Sequence, residues 1–250
     1  MDLKSKMMGL VRHARVWAIA AAIVAGSWTP AAAQTASDDW LVTVEPYFMG
    51  AAMSGPVTVR GHEASIDLSA SQVLENLQFG AMGIVMARKG NWGFGGDALW
   101  MALGTTVRNT NVDFSEGAFA FYGLRRLGAA ADVTFGLRVN TLQGELTFKE
   151  LERTFSQDKT WVDPIVGLVL RTPADRRLYM KLYSEIGGFG VGSDFSWQLF
   201  PTVGFKVVDS FALDFGYRWL DNHYTQGEGD ERFVWDVLAQ GPVIGFGFRF

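Results

Sequence analysis

From Trp40 onward, apolar and polar positions alternate with a period of two. Phe211, Leu213, Phe215, Tyr217 and Trp219 share one parity; Ala212, Asp214, Gly216, Arg218 and Leu220 share the other. Val133, Phe135, Leu137 and Val139 oppose Thr134, Gly136, Arg138 and Asn140 in the same way. Val162, Pro164, Val166, Leu168 and Leu170 oppose Asp163, Gly167 and Arg171. Successive side chains of a strand point to opposite faces, so this period predicts strands with one greasy and one polar face. They cover about 40–53, 78–88, 92–107, 117–126, 131–146, 161–172, 178–189, 196–207, 211–223 and 235–250, with ends uncertain by a few residues.

Most of these stretches reach the ~9–11 residues that a tilted strand needs to cross a bilayer. Their connections alternate in length. Lys89-Gly90-Asn91, the turn at Gly128, Pro173-Ala174-Asp175 and Val208-Asp209-Ser210 are short, whereas 54–77, 108–116, 147–160, 190–195 and 224–234 read as longer loops. Short turns at one end and long loops at the other are the layout of an outer-membrane barrel. The expected fold is all-β: a closed antiparallel up-and-down transmembrane β-barrel of about ten strands, with 8–12 within reach of the uncertain ends. A soluble sandwich or lipid-binding barrel shows the same period with its apolar face inward. Against it stand the aromatic apolar face, Trp and Tyr recurring near strand ends, and a polar face that mixes Gly with charge.

With the apolar face outward, parity sends Glu45, Asp97, Asp132, Asp163, Glu185 and Asp214 into the lumen. It sends Arg125, Arg138, Arg171, Lys181, Lys206, Arg218 and Arg249 there too; the facing of Arg88 is open. Near-balanced charge suggests a cross-strand ion-pair network, since a buried charge needs a partner. The lumen then serves either as a filled structural core or as a narrow passage for small solutes. About eight strands leave an interior just filled by side chains, and ten stand near that end of the range.

Composition narrows the chemistry. Among 250 residues there is no Cys, which excludes disulfides, thiolate metal sites and a cysteine nucleophile. Lys and Arg number 22 against 26 Asp and Glu, giving no electrostatic reason to expect nucleic acid. The start differs from the rest. Lys4, Lys6, Arg12 and Arg15 precede an apolar run from Val16 to Val24, then Pro30 and Ala31-Ala32-Ala33. That is the three-part pattern of a secretory signal peptide, so the expected domains are 1–33, a cleaved signal, and 34–250, the barrel. No later segment has 18 consecutive apolar residues.

Several smaller motifs invite chemistry. Gly187-Gly188-Phe189-Gly190-Val191-Gly192 resembles a phosphate loop in composition, but a strand follows where a nucleotide fingerprint needs a helix. A Gly-rich bend over the barrel mouth is the expectation. Arg60-Gly61-His62 reads as a turn between Val57–Val59 and Ile66–Leu68. Ser69 with Gln72 forms a capping box ahead of Val73, Leu74 and Leu77, the one helical signal. Asp221-Asn222-His223 could pair a carboxylate with a general base. No cofactor, metal or catalytic residue is assigned.

The C-terminal run Gly-Pro-Val-Ile-Gly-Phe-Gly-Phe-Arg-Phe places Gly245, Phe248 and Phe250 at the spacing of a terminal strand signal. In this it resembles Gram-negative outer-membrane β-barrel proteins. Val243 stands where that family usually has a polar residue. The body of the chain, at 88–97, 161–167, 187–198 and 216–220, is similar to an uncharacterised group of proteobacterial outer-membrane barrels. The resemblance implies location in the cell outer membrane, contact with its lipid, and the barrel-assembly machinery as a partner during biogenesis. It transfers no activity; the residues themselves point to a monomer with a charged, largely filled lumen, structural or a narrow small-solute passage. The lumen-lining candidates are Glu45, Asp97, Arg138, Asp163, Lys181, Glu185, Asp214 and Arg218. The Asp-x-His spacing also resembles omptin-type outer-membrane proteases, which need a second acidic pair that Asp97, Asp113 and Glu116 do not supply as a motif. An embedded hydrolase or a soluble periplasmic lipid-binding barrel is the alternative.

Overall fold

The computed structural model describes residues 39–107, 110–148, 153–172 and 176–250. The expected signal peptide, 1–33, and the Pro173-Ala174-Asp175 turn lie outside the described residues. The elements in chain order are β1 (Leu41–Met49), β2 (Ala52–Val59), β3 (His62–Leu68), α1 (Ala70–Glu75), β4 (Leu77–Lys89), β5 (Trp92–Val107) and β6 (Thr110–Arg126). Then follow β7 (Ala131–Phe148), β8 (Arg153–Arg171), β9 (Leu178–Gly187), β10 (Phe195–Val208), β11 (Phe211–Gln226) and β12 (Phe233–Arg249).

From β4 to β12 each strand pairs antiparallel with the next. β1 closes the ring: it pairs with β4 from Leu41↔Arg88 to Pro46↔Gly83 and with β12 from Thr43↔Arg249 to Met49↔Val243. The wall is thus a closed up-and-down barrel of ten strands, β1 and β4 to β12. Closure leaves no open edge where water is absent, the condition for a sheet inside lipid. The faces fall as parity demands. Phe121, Phe215 and Phe246 on the outside are 64%, 53% and 40% exposed, while Arg138 and Asp214 inside are 1% and 6% exposed. A soluble barrel would reverse this order. Aromatic rings mark the belt's limits: Trp92 under Arg125 and Trp40 against Phe94 at the short-turn end, Phe79 against Trp100 and Tyr217 against Trp219 at the other.

Two expectations fail at the long-loop end. Residues 110–116, 147–148 and 153–160, read as loop, are strand: β6, β7 and β8 run on past the girdle as paired ribbons. Residues 54–68, also read as loop, form the β2–β3 hairpin. β2 continues the line of β1 along β12, from Ala52↔Gln240 to Thr58↔Val234, after a break at Gly50 and Ala51. A Cβ on Gly241 would lie 2.0 Å from the Gly50 carbonyl oxygen, so only glycine lets the two backbones meet at this break. The hairpin turns on Arg60 and Gly61, with φ of 51° and 75°, the pattern of a type I′ turn. β3 pairs with β2 alone, and β4 above Gly83 pairs with β5 alone. The outer wall therefore has a seam without hydrogen bonds between the β3 and β4 strands. α1 crosses near it, capped by Ser69 and Gln72 as the capping box predicts, with Val73 buried.

Candidate functional site

The lumen is crossed by side-chain bridges. Arg218 of β11 donates from Nη2 to Asp97 Oδ2 of β5 at 2.5 Å and to Gln198 of β10. Its Nη1 donates to the Tyr47 hydroxyl of β1 and, at 3.3 Å, to Asp97 Oδ1. The Tyr47 hydroxyl donates in turn to Asp97 Oδ1 at 3.0 Å. One guanidinium therefore ties four strands across the bore. Lys181 of β9 reaches both oxygens of Glu45 on β1 at 2.8 Å and sits 3.3 Å from Asp214 of β11. The other Asp214 oxygen accepts from the Tyr179 hydroxyl at 2.9 Å. Arg138 of β7 pairs with Glu185 of β9. Near the short-turn mouth Asp132 holds both Arg88, whose facing the sequence leaves open, and Arg171. Between Asp97, Tyr122, Thr134, Tyr183, Glu185 and Gln198 remains a cavity of about 20 Å³, room for roughly one water. Arg125 departs from its expected position: it faces outward, with its guanidinium 4.6 Å from the centre of the Trp92 ring. Parity along β6 explains this, because the lumen side carries Ala118, Ala120 and Leu124.

Asp163 has no exposed surface. Its carboxyl accepts from the Ser193 backbone amide at 2.6 Å, the Ser193 hydroxyl at 2.8 Å and the Asn140 side-chain amide at 2.8 Å. Trp161 Nε1 donates to Ser193 Oγ at 2.7 Å. This set holds the β9–β10 loop inside the mouth. Gly188, Phe189 and Gly190 all take positive φ to bend it, and a Cβ on Gly192 would lie 2.3 Å from the Val162 carbonyl oxygen. The glycine run is a folded-in loop between two strands, with no helix after it.

The outer half of the lumen is apolar, which the expectation of a charged lumen missed. Leu99, Met101 and Leu103 of β5, Leu142, Trp161, Tyr224, Trp235 and Val237 form one buried cluster with Met53 of β2 and Val73 of α1. Trp161 stacks on Tyr224 with ring centres 4.3 Å apart, and Phe114 on Trp235 at 5.8 Å. The signal was present: Ala98 to Leu103 is apolar at every position, the mark of a strand covered on both faces. The lumen thus has an ionic floor and a hydrophobic plug.

Asp221 and His223 lie on the outer face of β11, while Leu220, Asn222 and Tyr224 fill the lumen face. His223 Nδ1 is 3.3 Å from Asp236 and Nε2 is 3.4 Å from Asp194. It stands above the girdle, and its hydrogen bond with Asp236 raises its pKa above the usual histidine range. His62 is exposed beside the β2–β3 turn. Among the described residues no group of three His, Asp or Glu side chains is placed to hold a metal ion.

No protein-family model matches the chain, and no curated protein matches it. Solved structures do. The outer membrane protease OmpT from Escherichia coli matches with a TM-score of 0.52 at 7% identity, over 87% of this chain and 99% of that one. The chain folds as an outer-membrane β-barrel. Barrels with looser likeness include Ail, the attachment invasion locus protein of Yersinia pestis, at TM-score 0.40 and 13% identity over 85% of this chain and 99% of that one. Neisserial surface protein A matches at TM-score 0.34 and 12% identity over 87% of this chain and 100% of that one. At such identities the likeness concerns the fold alone. The layout of the wall agrees with that fold: short turns stand at one end of the barrel and the ribbons of β6 to β8 rise at the other.

Proposed function

We propose that this barrel is a sealed, non-conducting and non-catalytic monomer whose role is structural. The observation that carries the reading is the Arg218 bridge. A guanidinium bonded to β1, β5 and β10 fills the bore at one level, and the apolar plug closes it again above. An aqueous channel needs a continuous wetted path, and ten strands leave little room for one. Against catalysis stands the outward facing of Asp221 and His223, with a carboxylate at each ring nitrogen and none left free to act as base. Gly245 and Phe248 of the terminal strand pair with both β1 and β11 at the closing seam, and Phe250 exchanges backbone bonds with Val42 of β1, where the assembly machinery would read them.

Planar-bilayer recording on the refolded protein tests the seal. The expected trace is flat. A steady conductance in the wild type that changes when Arg138 or Asp163 is neutralised overturns the reading in favour of a small-solute passage. Protease and lipase assays test the second half. Turnover that is lost in His223→Ala would make the chain an enzyme.

A further inference from the structure

Glu116 stands on the lumen face of β6, in register with Met101 of β5 and Leu142 of β7, two members of the apolar plug. It is 6% exposed, and its Oε2 has no hydrogen-bond partner. The neighbouring register pair, Trp100↔Gly117, marks the outer girdle, so the carboxyl lies just beyond the lipid belt. The groups that close around it are apolar: Met101, Leu142, and Phe114 stacked on Trp235 of β12, with Met53 and Val73 of the β2–β3–α1 segment in the same plug. The charged and titratable groups nearby have other partners or face solvent, Lys159 among them although it shares the lumen face across Leu142. Lys159 of β8 donates to Gln226 of β11 at 2.7 Å. Asp113 accepts from Gln78 of β4 at 3.0 Å. Tyr224 stacks on Trp161, and Glu75 of α1 is exposed. Burial therefore acts unopposed and pushes the Glu116 carboxyl up to about 7.

The plug has one side without strand pairing. β2 is held to β12, but β3 has one free edge, and β4 above Gly83 has another facing it. Ile66, Leu68 and Val73 pack the β3–α1 side against the wall, and one backbone bond at each end, Gly104 N–H to the Asn76 carbonyl at 2.9 Å and Gly61 N–H to the Arg232 carbonyl at 3.0 Å, completes its hold. We propose that Glu116 is a proton-operated latch for this flap: the protonated carboxyl is tolerated in the closed plug, and its anion lifts β3 and α1 from the seam.

The sign follows from the raised pKa. The closed form holds its proton more tightly than the open, hydrated form. Closure is complete below the ordinary carboxylate range, weakens as pH rises through about 7, and levels off above. This device belongs to the plug and does not depend on whether the ionic floor conducts.

The test uses the absence of native cysteine. Val73→Cys places a thiol at a 3% exposed site, and Leu74→Cys places one at a neighbouring site that is 45% exposed. The ratio of their labelling rates in the refolded protein cancels the ionisation of the thiol. The ratio should rise with pH, approaching ~tenfold per unit below the Glu116 transition, the limit for a single linked proton. In a Glu116→Gln background it should stay low and flat. A ratio independent of pH with Glu116 present, or the same rise in Glu116→Gln, overturns the latch. If Val73→Cys does not fold to a heat-modifiable barrel, amide exchange across Ala70–Glu75 replaces it. Protection there, corrected for the intrinsic pH dependence of exchange, should fall with pH in the wild type and hold steady in Glu116→Gln. Equal behaviour of the two proteins overturns the latch as well.

Discussion

Asp163 shows what a single buried carboxyl does in this barrel. Three donors from two elements converge on it, and two of them belong to Ser193 of the inward loop. Asp163→Ala removes the acceptor and strands those donors, each at about 1–3 kcal/mol. Denaturant unfolding in lipid should show a loss of about 3 kcal/mol, and protease should cut between Gly188 and Asp194 faster. An uncut loop in the variant would show that something else holds it. His223 gives a pH-dependent counterpart on the outer face. Its pKa is raised, first by the hydrogen bond with Asp236. The contact therefore stabilises fully below the ordinary histidine value and fades as pH rises through the raised one. Asp236→Asn should lower the ring's titration midpoint in an NMR pH series. A midpoint that does not move removes Asp236 as the cause.

The elements differ in how openly the sequence displays them. Lipid-facing parity on β7 to β11 is plain because one face is aliphatic or aromatic and the other carries Gly and charge. Parity also places the bridge residues Asp97, Lys181 and Arg218 on one side of the wall. It cannot tell that Arg218 reaches three other strands, because that depends on how far the wall curves. The outer third was harder to see. On β5 and β12 both faces turn apolar, so alternation stops just where lipid outside meets plug inside. The β2–β3 hairpin hides behind Gly55-Pro56, residues that ordinarily break strands; a Cβ on Gly55 would lie 1.9 Å from the Asp236 carbonyl oxygen. Local chemistry succeeded where it was self-contained, as in the capping box. α1 has six residues, too few to persist alone, so its cap carries a large share of its order. Ser69→Ala should cost about 1 kcal/mol of local stability. Amide exchange should quicken across Ala70–Glu75 and stay unchanged in β7 and β8. Equal quickening in the wall would mean that α1 is part of the barrel's cooperative unit.

At the scale of the whole molecule, the barrel solves two opposite solvation problems with one sheet. Its exterior is apolar because the solvent there is lipid, so the charges that a soluble protein would show to water are gathered inside. Gathering them brings no guaranteed stability, because desolvating an ion pair costs about as much as its attraction returns. What the bridges supply is register across the bore: Arg218 fits only if β1, β5, β10 and β11 stand at fixed heights. The energetic signature of that arrangement is coupling. Arg218→Met alone leaves Asp97 buried without its cation and should cost about 3–5 kcal/mol. Asp97→Leu alone orphans the guanidinium at a similar cost. Made together, the two changes remove both charges and should recover most of the loss, since apolar replacement of a buried pair is often near neutral. A double-mutant cycle from denaturant unfolding of the refolded barrel gives the coupling directly. If the double variant loses as much as the two singles summed, the two residues stabilise the barrel independently, and the cross-lumen bridge does not set its register.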